Sequence, residues 1–380
     1  MKINQFVIVA GEASGDMYGA EVARALRKRF EGVHVCGVGG ERMREAGVDL
    51  VGDSSATAVV GPFEAIGYFG KLYGLFRRTL QIVESPATRA VILVDFPEFN
   101  LRLASRAKAA GVPVVYYVSP QVWAWREGRI RQIGRVVDKM LVILPFEEAI
   151  YRKIGLDVEF VGHPLVDIVR TRMSKPEFLT KYGLDRAKPI VAILPGSREK
   201  EIQFILPTLC RAVDLMLKHK PGIQFVMPVA PGLELDFVRR FIGSRPVCLV
   251  SGDNYDAVRH SCAAVVASGT ATLETALLGT PQVIVYRIGK ATWLLGKILL
   301  KVRMFGLVNI ILGKEIIPEL YQDRMTPENV ASIILKMMDD VWMQSEIRGS
   351  YEELRRELGT GGVADRVATA VGAVAKTAAL

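Results

Sequence analysis

Short apolar segments recur along the chain, and each is followed by a longer segment with helical spacing. Segments that are apolar on both faces are typical of strands in a parallel sheet covered by helices on both sides. Before residue 145 these segments are FVIVAG, VHVCGVGG, AVILVDF, VPVVYYVS and KMLVIL. The alternation resumes later with IVAILPGS, IQFVMPVA, VCLVSGD, AAVVASGT and PQVIVYR. The pattern therefore predicts an α/β protein with two doubly wound domains.

The domain boundaries follow from the break in this alternation. The segment 163–188 lacks such a run, and 380 residues suit two domains of roughly 150–200 residues each. Near the C-terminus two helical segments are separated by Gly359–Gly362, and we expect them to pack back on the first domain. We predict domains at 1–165 and 166–343, followed by a helical segment at 344–380.

Composition narrows the class of protein and its partners. The four cysteines form no CxxC pair, and the N-terminus lacks signal-peptide organisation, so we expect a cytoplasmic protein without disulfides or a structural metal. A net charge of +9 favours an anionic partner: nucleic acid, a membrane surface or a phosphorylated small molecule. Without a long basic run or a nucleic-acid-binding motif, nucleic acid is the weakest of the three, and we predict none.

The segment VILVDFPEFNLRL runs from a buried strand into two carboxylates, Asp95 and Glu98. Two interpretations compete for this pair. The acids either cap the start of a helix or present a general base beyond the carboxyl end of a strand, where ligands of α/β sheets bind.

The first strand is followed by a glycine-containing loop, GEASGD, which we expect to turn into a helix near Asp16. Gly11, Ser14 and Gly15 permit a tight turn whose amides suit an anion or a sugar hydroxyl. Ser14, Gly15 and Asp16 are therefore candidate substrate-binding residues, and a tight turn with Asp16 as N-cap is as good an explanation. Glu12 fits neither a core nor a cap, which favours a functional role.

A second candidate anion site lies in LPGSREKEI. Gly196 makes the turn and Ser197 can cap the following helix, while Arg198 is a cation at the helix N-terminus, where the dipole disfavours it. A bound diphosphate would offset that cost. The alternative is a surface ion pair between Arg198 and Glu199 or Glu201.

In VVASGTATLE, Ser268, Gly269 and Thr270 open a short helix with small residues that allow close backbone approach. Glu274 lies one turn into this helix, where its carboxylate can accept both hydroxyls of a ribose. The alternative is a capping carboxylate. The segment is typical of a nucleotide pocket.

The segment SPQVWAWR also follows a predicted strand. Trp123 and Trp125 either line a cleft or pack between domains, and packing is the commoner role. Gln121 and Arg126 are candidate binding residues.

Two segments, 61–83 and 286–312, are apolar but contain lysine and arginine, and neither is long enough to span a membrane. Lys290, Lys297 and Lys301 in the second can align on one helix face, as in a helix at an anionic membrane interface. A core helix with lysines at its edge explains the pattern equally well.

In this order, the motifs GEASGD, DFPEFN, SPQVWAWR, VGHPL, LPGSREKEI, SGTATLE and LVNIILGKEIIPELYQ resemble the lipid A disaccharide synthase family over nearly the whole chain. The resemblance implies a GT-B-type glycosyltransferase with two Rossmann-like domains facing a cleft, the first binding the acceptor and the second the UDP-sugar. It implies transfer from UDP-2,3-diacylglucosamine to 2,3-diacylglucosamine 1-phosphate, giving a β(1→6) disaccharide and UDP.

The resemblance carries further implications. Such enzymes invert the anomeric centre, need neither metal nor cofactor, and bind peripherally to the cytoplasmic face of the inner membrane. It also allows a homodimer with exchanged C-terminal segments, which the sequence neither shows nor excludes. Asn309 and Gln322 are implied as donor-site residues. The chain departs from the familiar pattern at Phe96 and at Glu98, which weakens Glu98 as a catalytic group.

The expected mechanism uses Asp95 as the base for the acceptor 6-hydroxyl, with Glu12 or Glu98 as substitutes. Arg198 would stabilise the departing diphosphate and Glu274 would hold the ribose. Two other classes of function remain open. One is a UDP-sugar epimerase or hydrolase of the same fold, and the other is a non-catalytic nucleotide-binding protein associated with a membrane.

Overall fold

The computed structural model describes residues 5–53, 65–122, 128–289 and 304–377. The described residues form two compact units. One extends to Pro164 and resumes at Leu358, and the other is Leu165–Glu357. The first boundary lies within a residue of the predicted one. The return to the first unit begins at Leu358 rather than at the predicted residue 344, because the helix before it packs within the second unit.

The described strands of the first unit form one parallel sheet in the order β3-β2-β1-β4-β5-β6-β7. The strands are β1 (Gln5–Ala10), β2 (His34–Gly39), β3 (Asp49–Asp53), β4 (Thr88–Val94), β5 (Val114–Tyr117), β6 (Lys139–Val142) and β7 (Val158–Phe160). The connecting helices are α1 (Ala13–Arg29), α2 (Glu41–Glu45), α3 (Ala65–Val83), α4 (Pro97–Ala109), α5 (Gly128–Val136) and α6 (Pro145–Arg152).

The second unit repeats this plan with a parallel sheet in the order β10-β9-β8-β11-β12-β13. Its described strands are β8 (Ile190–Leu194), β9 (Gln224–Pro228), β10 (Val247–Val250), β11 (Ala263–Ala267), β12 (Gln282–Tyr286) and β13 (Glu319–Tyr321). Its described helices are α7 (Leu165–Ile168), α8 (Lys175–Tyr182), α9 (Glu199–His219), α10 (Leu235–Ile242), α11 (Asn254–Arg259), α12 (Thr270–Leu277), α13 (Leu307–Leu312), α14 (Pro327–Asp339) and α15 (Val341–Glu357).

The two C-terminal helices belong to different units. Helix α15 packs on α12, α13 and α14 of the second unit. After the break at Gly359 and Gly362, both with positive φ, helix α16 (Val363–Thr377) packs on α1, β4 and β5 of the first unit. The amide of His163 donates to the carbonyl of Leu358 at 2.8 Å, which ties the returning chain to the first unit.

The central strands of both sheets are buried on both faces. In β1, Phe6–Ala10 are at most 3% exposed, and Ala90–Val94 of β4 are completely buried. All ten segments that the sequence analysis chose are strands, so the predicted α/β fold is confirmed. Helix α9 buries a stripe of apolar residues as well, from Ile202 to Met216.

The structure describes only part of the two apolar basic segments, 61–83 and 286–312. Helix α3 accounts for most of 61–83, whereas Lys290, Lys297 and Lys301 lie outside the described residues. Within the described part of the chain, no helix combines the length and hydrophobicity needed to cross a membrane.

Candidate functional site

The strand order of each sheet reverses at one point, between β1 and β4 in the first and between β8 and β11 in the second. Ala10 pairs with Val94 and Leu194 with Val266, so the two strands at each reversal end almost level with each other. Ligands of open α/β sheets bind outside the carboxyl ends at such a point. The loops flanking these points are the ones that begin at Gly11, Asp95, Pro195 and Ser268. Within each unit, the structure therefore brings the predicted loops together as a pair.

The backbone at the end of β4 is held in an unusual conformation. Asp95 and Phe96 both have positive φ, 47° and 50°, in the left-handed region that side chains other than glycine rarely adopt. Such residues cost about 1–2 kcal/mol each and persist where the surrounding structure fixes them, commonly at functional sites. Pro97 then begins helix α4.

The environment of Asp95 favours a proton acceptor that works near neutral pH. Burial raises the pKa of the Asp95 carboxyl, the nearby Glu12 carboxylate raises it further, and a hydrogen bond from the Phe96 amide lowers it, giving about 7. A general base is most effective when its pKa lies near the working pH. Asp95 therefore has the charge properties that the base of a transfer reaction needs.

The loop after β1 is shaped by close packing against Phe96. A Cβ atom at Gly11 would lie 2.2 Å from Cγ of Phe96, so only glycine fits beneath this ring. Gly15 is buried, and a Cβ there would contact Ala10 at 3.3 Å. Ser14 is half-buried in the first turn of α1, and Glu12 is the exposed N-cap residue of that helix.

Asp16 has a different role from the predicted one. Helix α1 begins at Ala13, so Asp16 is not its N-cap. The buried Asp16 carboxylate instead accepts hydrogen bonds from the amides of Gly40 at 2.7 Å, Met43 at 3.0 Å and Arg42 at 3.1 Å. It thereby caps α2 and holds this helix on α1, which accounts for the Asp16 carboxylate within the protein.

The remaining predicted residues of the first unit, Glu98, Gln121 and Arg126, lie in different surroundings. Glu98 is exposed, and its Oε1 accepts a hydrogen bond from Nη2 of Arg129 at 2.7 Å, which gives this acid a surface role. Gln121 is exposed after β5. Arg126 lies outside the described residues, as do Trp123 and Trp125, and its binding role stays a prediction.

The loop after β8 already holds an anion, and that anion comes from the chain itself. Oε2 of Glu201 accepts hydrogen bonds from the amides of Ser197 at 2.8 Å and Arg198 at 3.3 Å. The N-cap residue of α9 is Arg198, so the prediction that Ser197 caps this helix is wrong. Gly196 has φ +124°, and a Cβ there would lie 2.4 Å from Oε2 of Glu201.

The Arg198 guanidinium also faces this carboxylate, with Nη1 3.6 Å from Oε1 of Glu201. The predicted alternative to a diphosphate, an ion pair with Glu199 or Glu201, is therefore present with Glu201. The Arg198 side chain is 65% exposed, which leaves this pair screened by water and weak. The loop gathers a guanidinium and backbone amides around one negative charge, as a diphosphate site requires.

The loop after β11 has the predicted backbone form. Gly269 has φ +148°, and a Cβ there would meet nothing within 4 Å among the described residues, so the space beside this glycine is open. Ser268 and Gly269 precede helix α12, which begins at Thr270. Glu274 is half-buried on α12, where Oε1 accepts a hydrogen bond from the Tyr255 hydroxyl at 3.0 Å.

Asn309 is fully engaged inside the second unit. Its Nδ2 donates to the carbonyl of Ile317 and to Oε1 of Glu319, both at 2.8 Å, and its Oδ1 accepts from the amides of Ile316 and Ile317. The side chain is completely buried. Asn309 therefore anchors the start of α13 to β13, and its amide group is engaged within the unit.

Gln322 follows β13 at the carboxyl edge of the second sheet. It has φ 49°, is 8% exposed, and its Nε2 atom is buried without a hydrogen-bond partner among the described residues. The Arg287 guanidinium binds the Gln322 carbonyl at 3.1 Å and fixes this strained turn. A buried amide donor that the protein leaves unpaired is a candidate for pairing with a ligand.

Three contributors to these loops were missed by the sequence analysis: Asn100, Tyr116 and Arg287. Asn100 is completely buried in α4 and contacts the Asp95 backbone, as does the Tyr116 hydroxyl. An asparagine on the buried face of an amphipathic helix is a signal that sequence analysis can detect, because an unpaired amide there is costly. Tyr116 and Arg287 give no comparable signal.

Residues 6–368 match the model of a protein family described as lipid-A-disaccharide synthetase. The chain belongs to this family. It is 44% identical to the lipid-A-disaccharide synthase of Syntrophus aciditrophicus, covering 95% of each chain. It is 43% identical to that of Koribacter versatilis, covering 97% of this chain and 98% of the relative. Membership confirms the resemblance seen in the motifs and makes the chain a glycosyltransferase of lipid A biosynthesis.

Solved structures show the same fold at low sequence identity. The UDP-GlcNAc 2-epimerase of Neisseria meningitidis bound to UDP-GlcNAc is 12% identical, with a TM-score of 0.66 over 97% of this chain and 99% of that one. The glycotransferase of kitacinnamycin is 14% identical, with a TM-score of 0.62 over 98% of this chain and all of that one. Likeness at this identity concerns the fold alone, so the epimerase alternative is not favoured.

Replacing Asp16 by alanine should lower stability and leave substrate binding intact. Three amides at the start of α2 would lose their acceptor, at an expected cost of about 2–3 kcal/mol in the free energy of unfolding measured with urea. Glu45→Ala, which removes an exposed acid from the same helix, is the matched control. A raised KM with unchanged stability would instead restore the substrate-binding role of Asp16.

Proposed function

We propose that the chain transfers 2,3-diacylglucosamine from UDP to the 6-hydroxyl of 2,3-diacylglucosamine 1-phosphate, forming a β(1→6) disaccharide 1-phosphate. The observation that carries this mechanism is Asp95, which stands at the switch point of the first sheet with a pKa of about 7. Family membership supplies the substrate class. No cofactor or metal enters the proposal.

The proposed chemistry is a single displacement with inversion. The acceptor oxygen attacks the anomeric carbon while Asp95 takes the hydroxyl proton, and the bond from that carbon to the diphosphate oxygen breaks. Its electron pair leaves with UDP. UDP needs no protonation to depart, so one carboxylate is enough, in contrast to the acid and base pair of an inverting glycosidase.

Glu12 adds to this chemistry through its charge. Its carboxylate raises the pKa of Asp95, which makes Asp95 the stronger base. Glu12 precedes α1, and Ser14 and Gly15 lie in the first turn of that helix. We propose that these residues bind hydroxyl groups of the acceptor. Gln121 and Arg126 are assigned to the same substrate. Glu98 is left out, because its pairing with Arg129 explains it.

The second unit is proposed to bind UDP. Arg198 and the amides that follow Gly196 would stabilise the charge that grows on the diphosphate, and the amides from Ser268 to Thr270 would approach the phosphates. Glu274, oriented by Tyr255, would hold the ribose hydroxyls.

Two further residues of the second unit are assigned by their surroundings. Gln322 would donate its unpaired Nε2 hydrogens to the donor sugar or diphosphate. Asn309 would act by fixing the start of α13, since its own amide is engaged inside the protein.

We further propose that the protein works in the cytoplasm and binds peripherally to the inner membrane, where acylated substrates reside. Helix α3 supports this proposal, because it exposes Lys71, Arg77 and Arg78 together with Tyr73, which is 65% exposed. Basic residues beside an interfacial aromatic side chain suit an anionic lipid surface. A homodimer stays a prediction of the resemblance.

The function is tested by incubating the full chain with UDP-diacylglucosamine, with and without the acylated sugar phosphate. We expect equal amounts of UDP and disaccharide, and only when the acceptor is present. Release of UDP from the donor alone would indicate a hydrolase, inversion at C2 of the donor sugar an epimerase, and binding without turnover a non-catalytic protein.

Asp95→Asn should reduce transfer about 100-fold to 10,000-fold, leaving a measurable residual turnover, and should increase stability at alkaline pH. The folded state holds the Asp95 proton more tightly than the unfolded state, so stability from this group falls as pH rises from about 4 towards 7 and stays low above. The neutral amide removes that loss. At pH 8 the variant should have a higher melting temperature than the wild type and only this residual turnover, a combination that misfolding cannot produce.

The same group sets the pH dependence of the wild type. Below about pH 7, kcat/KM should fall tenfold per pH unit, because only ionised Asp95 accepts the proton. Near-normal transfer by Asp95→Asn, or a flat profile between pH 5 and 8, would refute the assignment.

Glu201→Gln should tighten UDP binding, and Arg198→Ala should weaken it. The Glu201 carboxylate competes with the diphosphate for Arg198 and for two amides, so removing its charge should lower the Kd several-fold. In Arg198→Ala, the loss of one charge-assisted hydrogen bond to the diphosphate should raise the Kd for UDP about 10-fold to 100-fold. Glu199→Gln, with the same charge change on an exposed neighbour, is the control in calorimetric titrations. Equal effects of both glutamine variants would contradict direct competition.

A further inference from the structure

The carbonyl oxygen of Asp95 is held by two buried side chains. Nδ2 of Asn100 donates to it at 2.7 Å, and the Tyr116 hydroxyl donates to it at 2.6 Å. Both side chains are completely buried, Asn100 in α4 and Tyr116 in β5. Two elements that follow each other along the chain therefore converge on one peptide group, the one that joins the two left-handed residues Asp95 and Phe96.

Asn100 links this peptide to the two strands at the switch point. Its Nδ2 also lies 3.3 Å from the carbonyl oxygens of Val9 in β1 and Val94 in β4. An amide nitrogen has two hydrogens, so the short contact to Asp95 takes one and the two longer contacts share the other. The orientation of the amide is fixed, because the reverse would turn an oxygen towards three carbonyl oxygens.

Asn100 also carries a cost that a purely structural role does not explain. Its Oδ1 is buried without a hydrogen-bond partner among the described residues, which costs about 1–3 kcal/mol. An apolar side chain at this position in α4 would avoid that cost. What it could not supply are the N–H donors that hold the Asp95 carbonyl.

Tyr116 is suited to donate across the working pH range. Burial, followed by the charge of Asp95, raises the pKa of the Tyr116 hydroxyl well above its ordinary value. The hydroxyl therefore keeps its proton. On the other side of the residue, the Asp95 amide donates to the Tyr117 carbonyl at 3.2 Å, so the backbone of Asp95 is fixed at both ends.

We propose that Asn100 and Tyr116 are positioning residues, which hold the peptide after Asp95 in the left-handed turn that presents the carboxylate as the base. The inference rests on the proposed function of Asp95 and adds to it. Neither side chain touches the substrate. Both act through the orientation of Asp95, so their loss should reduce kcat and leave the binding of UDP to the second unit unchanged.

The test is Tyr116→Phe, which removes one hydroxyl and keeps the packing. We expect kcat to fall about 10-fold, with the KM for both substrates within about two-fold and an unchanged Kd for UDP, because small displacements of a reacting group cost large factors in rate. The matched control is Tyr351→Phe, since the buried Tyr351 hydroxyl also donates to a backbone carbonyl, that of Thr280 at 3.2 Å. The control should lose similar thermal stability and retain kcat.

A second measurement separates positioning from general destabilisation. In the Asp95→Asn background, Tyr116→Phe should not reduce the residual turnover further, because residues that act as a unit are not additive. Asn100→Leu should behave in the same way, with a larger effect in the wild-type background. If Tyr116→Phe lowers residual turnover by its full factor in that background, or if it matches Tyr351→Phe in kcat, the inference is wrong.

The failure of this inference differs from the failure of the proposed function. A normal rate for Tyr116→Phe, together with a strongly impaired Asp95→Asn, would remove the positioning role and keep the base. An active Asp95→Asn would remove both.

Discussion

The Asp95 carbonyl group is the point on which the geometry of the first unit depends. Strand β4 is buried up to Val94, and the chain must leave it at once for helix α4, which begins at Pro97. Two residues in the left-handed region make this turn, at about 1–2 kcal/mol each. Hydrogen bonds from Asn100 and Tyr116, typically about 1 kcal/mol each, offset much of that cost.

The consequences of this turn reach the neighbouring loop. With φ at +50°, Phe96 lies over Gly11, and no larger residue fits beneath its ring. The Asp95 carboxyl is brought under the influence of Glu12, which together with burial raises its pKa to about 7. One strained peptide therefore links the strand order, the loop after β1 and the basicity of the proposed base.

The second unit meets the same topological problem in another way. Its chain leaves β8 and β11 through Gly196 and Gly269, which adopt positive φ without strain from a side chain. In the proposed function the groups needed here are backbone amides, and glycine leaves these accessible. In the first unit the proposed functional group is a side chain, so glycine cannot occupy the turn. The difference between a strained and an unstrained turn thus follows from what each loop presents.

The sequence revealed the central strands because burial on both faces requires an uninterrupted apolar run. The strands that it missed, β3, β7 and β13, all lie at the edge of a sheet. Edge strands have one neighbour and partial exposure, and their sequences DLVGD, VEF and ELY mix acids with apolar residues. The loops at the switch points could be predicted too, since each follows a central strand.

The roles of individual polar residues could be predicted less well, because a role depends on partners that are distant in sequence. Asp16 and Asn309 were expected to bind substrate, and both are engaged within the protein. The amides that donate hydrogen bonds to Asp16 lie more than 20 residues away, after strand β2. The position of Asn100 in α4 could mark it as unusual, but its partners could not be predicted for the same reason, since Val9 of β1 lies 91 residues from it.

The number of amide donors distinguishes the carboxylates at these loops. Asp16 accepts three backbone N–H groups and is buried, which leaves its oxygens no access to a ligand. Glu201 accepts two from an exposed loop, and the proposed diphosphate would compete with it for them. For Asp95, a hydrogen bond from the Phe96 amide lowers the pKa, but burial and the charge of Glu12 both raise it. A carboxylate whose charge is compensated this poorly gains most from taking up a proton, and that is the property a base requires.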